Sequence, residues 1–337
     1  MTSALIQRLH TRLLSGVLFV LIVAVMQGCA YAPQVKQLQQ NGWDNLSIAK
    51  AVELTDVPFF PQQKYQCGPA ALATVLNYNN INVEPEELRA KVYVPKRQGS
   101  FQIEMIAATR QYGKLPYPLD PSLEDLLREV DAGNPVLVLQ NLAFENMPQW
   151  HFAVVVGYDL NRSEIILRSA TSKRWTTSLS NFEQTWRKSN YWALVVTDAD
   201  KVPPTATVSK WLAAGLDLEK IKRYQQAQQS YRAATRNWPL QDKPWLALSN
   251  LFYKQKRYQD ASAVLKQALS NIKDSAELWN NYAYLLKHEG CYQSAQQAAA
   301  CALQLKADDK NIIATWQEMQ QLDLSGSKSC EAIQCDR

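Results

Sequence analysis

Between residues 208 and 309 the chain repeats itself every 34 residues. Trp211, Trp245 and Trp279 share one register, and Tyr224, Tyr258 and Tyr292 share a second. Ala227, Ala261 and Ala295 form a third, and Ala234, Ala268 and Ala302 a fourth. Four registers agreeing over three units do not arise by chance. A period of this length means that each unit buries its apolar face against its neighbours instead of in one central core. The tryptophans and tyrosines are therefore expected to fill gaps in that stack, and they are not read as the lining of a cofactor site.

The pattern resembles the tetratricopeptide repeat, whose unit is a helix pair with small residues where the two helices approach. The resemblance implies an all-α solenoid with units at 208–241, 242–275 and 276–309 and a capping helix over 311–322. It also implies a concave face that recruits a protein partner or presents a peptide. Pro239 ends the first unit in the usual place, whereas Lys273 and Ala307 stand there in the other two.

The opposite end carries an address. Arg8, His10 and Arg12 precede an apolar run from Leu13 to Met26, with no acidic residue before Gly28-Cys29. The run is too short for a spanning helix, which needs about 20 residues, and reads as an export signal over residues 1–28. It resembles a bacterial lipoprotein signal, although Met26 and Gln27 depart from the usual Leu-Ala or Leu-Ser. The resemblance implies lipidation of Cys29, and Ala30 in place of a retention aspartate implies the outer membrane, on its periplasmic side. Residues 29–54 are polar and Gln-rich and are expected to act as a flexible tether.

Loss of the leader removes two arginines, leaving 34 basic against 31 acidic residues and a net charge of about +3. With no basic cluster interleaved with aromatics, a nucleic-acid partner has no support. No Cys/His spacing suits a metal, and no cofactor is expected. Cys291 and Cys301, ten residues apart on one expected helix, are separated by about 15 Å, too far to bond to each other. Cys330 and Cys335 could close a small loop together, or remain free in a tail over 323–337 expected to be disordered.

Residues 55–198 read as one α+β domain. Helices are expected over 68–77, 85–92, 102–112 and 122–132. Strands follow over 136–140, 151–158, 164–168, 174–178 and 191–197, with a helix over 182–188. Residues 199–207, with Pro203-Pro204, are the expected linker.

The chemistry centres on Cys67. It opens a helix with Gly68-Pro69 behind it, where unpaired N–H groups and the helix dipole favour a thiolate. Of the three histidines, His10 lies in the leader and His288 in the repeats, so His151 at the start of a strand is the one available base. A cysteine from a helix start and a histidine from a strand form the two halves of a papain-like thiol site, and an ion pair with His151 is expected to lower the thiol pKa further. An oxyanion donor is expected from Gln62, with Gln63 as the alternative.

These pieces, with Val155-Val156-Gly157-Tyr158 after the histidine and Phe182 and Trp186 before the last strand, resemble the bacteriocin-processing, or double-glycine, family of papain-like cysteine peptidases. The resemblance implies a Cys67 nucleophile, a His151 base and Gln62 in the oxyanion hole. It also implies an acidic third residue, where this chain has Ser169; Asp159 and Asn161 are alternatives if their hairpin folds back. The expected function is a lipid-anchored periplasmic peptidase acting on a peptide or protein substrate. A catalytically weak peptide-binding module and an acyl or peptidyl transferase are the alternatives.

Overall fold

The computed structural model describes residues 32–62, 66–97 and 99–335. The leader, Cys29 and Gln63 lie outside these residues. The N-terminal part contains α1 (Pro33–Asn41), β1 (Ala51–Glu53), α2 (Cys67–Tyr78), α3 (Pro85–Val92), α4 (Gln102–Gln111), β2 (Leu115–Pro118) and α5 (Leu123–Asp131). It continues through β3 (Val136–Asn141), β4 (Trp150–Asp159), β5 (Glu164–Ser169), β6 (Ser172–Ser178), α6 (Leu179–Arg187) and β7 (Ala193–Thr197).

The strands form one antiparallel sheet in the order β2-β7-β3-β4-β5-β6, with β1 added against the far end of β4. Successive side chains of a strand point to opposite faces. Phe152, Val154 and Val156 therefore pack with Leu72, Val75 and Leu76 of α2, while Ala153 and Val155 meet Leu126, Leu127, Phe182 and Trp186 of α5 and α6. Burial on both faces is why β4 reads as a continuous apolar run and not as an alternation.

Three elements were missing from the sequence reading: β2, α1 and β1. β2 contains Pro116 and Pro118, which cannot donate to a ladder and suit an edge strand; it pairs with β7 alone. The second is α1, which replaces the expected tether. Its Val35 and Leu38 are buried, and the carboxylate of Glu183 on α6 accepts the N–H groups of Gln34 at 2.9 Å and Val35 at 2.8 Å. Those N–H groups have no partner inside the helix, and Ala32 offers no side-chain cap. A carboxylate nearly 150 residues away supplies both the hydrogen bonds and the charge that the helix start favours. Further on, β1 pairs with β4 so closely that a Cβ on Gly157 would lie 2.5 Å from the Val52 carbonyl.

The repeats follow as α7 (Val208–Lys220) with α8 (Tyr224–Asn237), α9 (Asp242–Lys254) with α10 (Tyr258–Leu269), and α11 (Ala276–Glu289) with α12 (Tyr292–Leu305), then α13 (Lys310–Gln320). Ala227, Ala261 and Ala295 are fully buried, and each tryptophan of the first register donates its Nε1–H to a backbone carbonyl: Ser230, Pro239 and Lys273. The two parts share one core. Tyr117 of β2 packs on Trp211 of α7 with ring centroids 6.3 Å apart, and Arg110 of α4 pairs with Asp217 of α7 at 2.6 Å. Within the expected linker, the Thr205 N–H is held by the buried Glu129 carboxylate at 3.0 Å.

The C-terminal tail is also ordered, contrary to expectation. Cys330 bonds to Cys291 and Cys335 to Cys301, so neither a Cys330–Cys335 loop nor free thiols are found. Ser294 and Gln297 of α12 contact Glu331 and Ile333 between the two bonds.

Candidate active site

Gln66 precedes α2 without capping it through its side chain, so the first amides of the helix remain available to the Cys67 thiol. The N–H groups of Phe152, Gly68 and Cys67 itself point at that sulfur. Phe152 is the residue after His151, so the helix start and the start of β4 meet at the thiol. The His151 ring is held by Ser169, with Nε2 2.9 Å from its Oγ. Ser169 ends β5, and Ala170, in the left-handed region at φ 50°, turns the chain into β6.

Gln62 reaches the same place. Its N–H donates to the Ala170 carbonyl at 3.0 Å, and its Nε2 lies 3.5 Å from the Phe152 carbonyl. The second contact is long for a hydrogen bond, so the amide is available to a better acceptor. Cys67 and Gln62 thus both reach the backbone of Phe152, one residue beyond His151, and Ser169 holds the His151 ring. Asp159 does not join them: its Oδ1 accepts the N–H groups of Asn161 and Arg162 in its own turn, at the opposite end of β4. Asn161 is confined to the same turn.

Residues 54–194 match the Peptidase_C39 like family. Residues 242–285 match the tetratricopeptide repeat. Similar solved structures include a putative C39-like peptidase from Bacillus anthracis, at 20% identity over 46% of this chain and 100% of that one, with a TM-score of 0.40. The peptidase domain of Streptococcus ComA, a bifunctional ABC transporter in quorum sensing, matches at 21% identity over 42% of this chain and 98% of that one, TM-score 0.35. A double-glycine-motif protease from an AMS/PCAT transporter, in complex with its leader peptide, matches at 24% identity over 42% and 92%, TM-score 0.34. The comparison with curated proteins gave no match. The fold is an α+β C39-like domain with an antiparallel sheet, followed by a helical repeat region.

In this C39-like domain the charge state of the pair differs from the expected ion pair. Burial pushes the Cys67 thiol above its ordinary value, and the N–H groups of Phe152, Gly68 and Cys67 offset this only in part. Burial likewise lowers His151 to about 4. Desolvation disfavours both charged forms, and Ser169 provides no negative charge to stabilise an imidazolium. Cys67 therefore rests as a thiol and His151 as a neutral imidazole.

Two features of the site were not singled out in the sequence. Ser100 packs over Gly68 so closely that a Cβ there would lie 2.3 Å from its Oγ, which explains glycine after the cysteine. The β3–β4 loop that leads into His151 also presents an apolar rim: Phe144 and Met147 are 76% and 73% exposed, and Trp150 next to His151 in sequence is half exposed. The signal for the rim was present in 142–150, a loop richer in large apolar residues than solvent contact alone would favour.

Proposed function

We propose that this chain is an exported, lipid-anchored cysteine peptidase. The observation that carries the reading is the Cys67 thiol set against the Phe152 N–H while Ser169 holds the adjacent His151 ring by its Nε2. In this reading His151 takes the thiol proton as Cys67 attacks a peptide carbonyl, forming a tetrahedral oxyanion that the Cys67 N–H and Gln62 Nε2 stabilise. The protonated His151 then gives that proton to the leaving amine. Water, deprotonated by the same imidazole, hydrolyses the thioester and restores the thiol. The apolar rim suits a substrate with apolar side chains near the cleaved bond. A leader peptide bound to the double-glycine protease supports a peptide substrate. The cleft of about 220 Å³ between α9 and α11, lined by Asn250, Tyr253, Asn281 and Tyr284, supports the repeats as a peptide-holding surface.

Incubating the full chain with a casein digest, with and without an added amine, tests the reaction class. New carboxyl termini that depend on Cys67 support hydrolysis, and amide products formed only with the amine identify a transferase. A second reading, a peptide-binding module with little chemistry, is favoured by Ser169 in place of a carboxylate. Ser169→Asp separates the two. A carboxylate against Nε2 raises an imidazole pKa by about 1–3 units, so the acid limb of the rate should move up from about 4 and acylation should accelerate. An unmoved profile would show that residue 169 does not govern the base.

Two disulfides that tie the tail to Cys291, just before α12, and to Cys301 within it support an oxidising compartment such as the periplasm. Lipidation is tested by mass spectrometry of the mature N-terminus. The expected species begins at an acylated Cys29, and a chain that retains Met1 would defeat the anchor.

A further inference from the structure

We propose that Arg168 is a positioning residue that holds Gln62 in register with the catalytic pair; the catalytic part of this rests on the peptidase reading. Arg168 lies on β5 immediately before Ser169 and is 4% exposed. A guanidinium so deeply buried is ordinarily paired with a carboxylate, but here its acceptors are backbone carbonyls. Nε donates to Val57 O at 3.2 Å, Nη1 to Lys173 O at 2.7 Å, and Nη2 to Leu54 O at 3.3 Å and Thr55 O at 3.4 Å. Glu53, whose field reaches Arg168, is hydrogen-bonded to Arg174 instead.

The acceptors belong to two segments far apart in sequence, which Glu53 with Arg174 also joins at the β1 end. Leu54, Thr55 and Val57 begin the lead-in that ends at Gln62. Lys173 lies just beyond the turn that carries Ser169 and Ala170. The Gln62 N–H closes the same junction from its far end on the Ala170 carbonyl. One rigid fork therefore sets how far Gln62 stands from the hairpin that orients His151. This matters because a side-chain amide stabilises an oxyanion only when its N–H lies at the right distance from it, and the lead-in has no helix or ladder of its own after β1.

The test uses the full chain and p-nitrophenyl acetate, whose nitrophenolate burst reports acylation of Cys67, in parallel with iodoacetamide. Alkylation by iodoacetamide displaces iodide without forming an oxyanion, so it reports the thiol and its base but not Gln62. Arg168→Lys keeps the charge and loses the fork. It should slow acylation about tenfold or more, as Gln62→Ala does, and leave alkylation within about twofold. The double variant should be no slower than either single one, as for residues acting as a unit. Equal loss in both reactions, additive losses, or unchanged acylation would each overturn the proposal. If the wild-type chain shows no Cys67-dependent acylation, the peptidase reading fails separately. Hydrogen exchange then decides the positioning claim: the Val57 and Gln62 amides should be protected in the wild type, and Gln62 should lose protection in Arg168→Lys. Should that variant not fold, rapid exchange at Gln62 in the wild type alone would refute a clamped lead-in.

Discussion

Cys67→Ala is expected to reduce hydrolysis to background, and His151→Ala to lower it by about 10²–10⁴-fold, the usual contribution of a positioned general base. The pH profile of the unaltered chain carries the more specific expectation. His151 accepts a proton only while neutral, and burial holds its pKa down to about 4. It is therefore competent at pH values above about 4 and lost as a base below it. The Cys67 thiol, pushed upward by burial, remains protonated through neutral pH, so proton transfer accompanies attack and is not stored beforehand as an ion pair. The rate against pH should be flat across the neutral range with its acid limb near 4. An acid limb at pH 6 or above would mean that the imidazole is more basic than its surroundings allow.

The second large effect concerns the tail. Cys330→Ser and Cys335→Ser release loops with sequence separations of 39 and 34. Chain entropy assigns about 4 kcal/mol to closing a loop of either size. The loops overlap, so losing both should cost more than one bond and less than their sum. Denaturant unfolding of the repeats checks this, with the oxidised wild-type chain as reference. A change below about 1 kcal/mol would mean that the reduced tail stays docked by its other contacts, such as Ser294 with Glu331. Hydrolysis at Cys67 should persist, because the repeats join the C39-like domain through α7 at the other end of the stack.

What could be read from the sequence, and what could not, follows from where the information lies. Three histidines, two of them outside the domain, left His151 as the one candidate base, and the strand order brings Ser169 to its Nε2. The repeat was legible because its registers are local and recur. α1 was not, because only Val35 and Leu38 of its nine residues are buried and its decisive partner is the distant Glu183. The disulfides escaped for a related reason. The distance of about 15 Å that keeps Cys291 and Cys301 apart on a helix is nearly the span of five residues of extended chain, and five residues separate Cys330 from Cys335. Spacing excluded one pairing, but the matching pair became visible only once the tail was seen alongside α12. The protonation state of Cys67 was hidden because burial is a property of the packed domain, and a helix start alone favours the opposite state.

The docking of α1 has a consequence for what the Cys67 site can reach. With Cys29 acylated as proposed, only residues 30–32 lie between the lipid and Pro33, where α1 begins. Four residue steps extend at most about 14 Å, less than half the reach of a free chain through residue 54. The domain would then stand almost directly on its bilayer, with the short leash fastened near α6. Cys67 could not search the compartment on a long swing, and the peptides it meets would be those brought to the membrane surface.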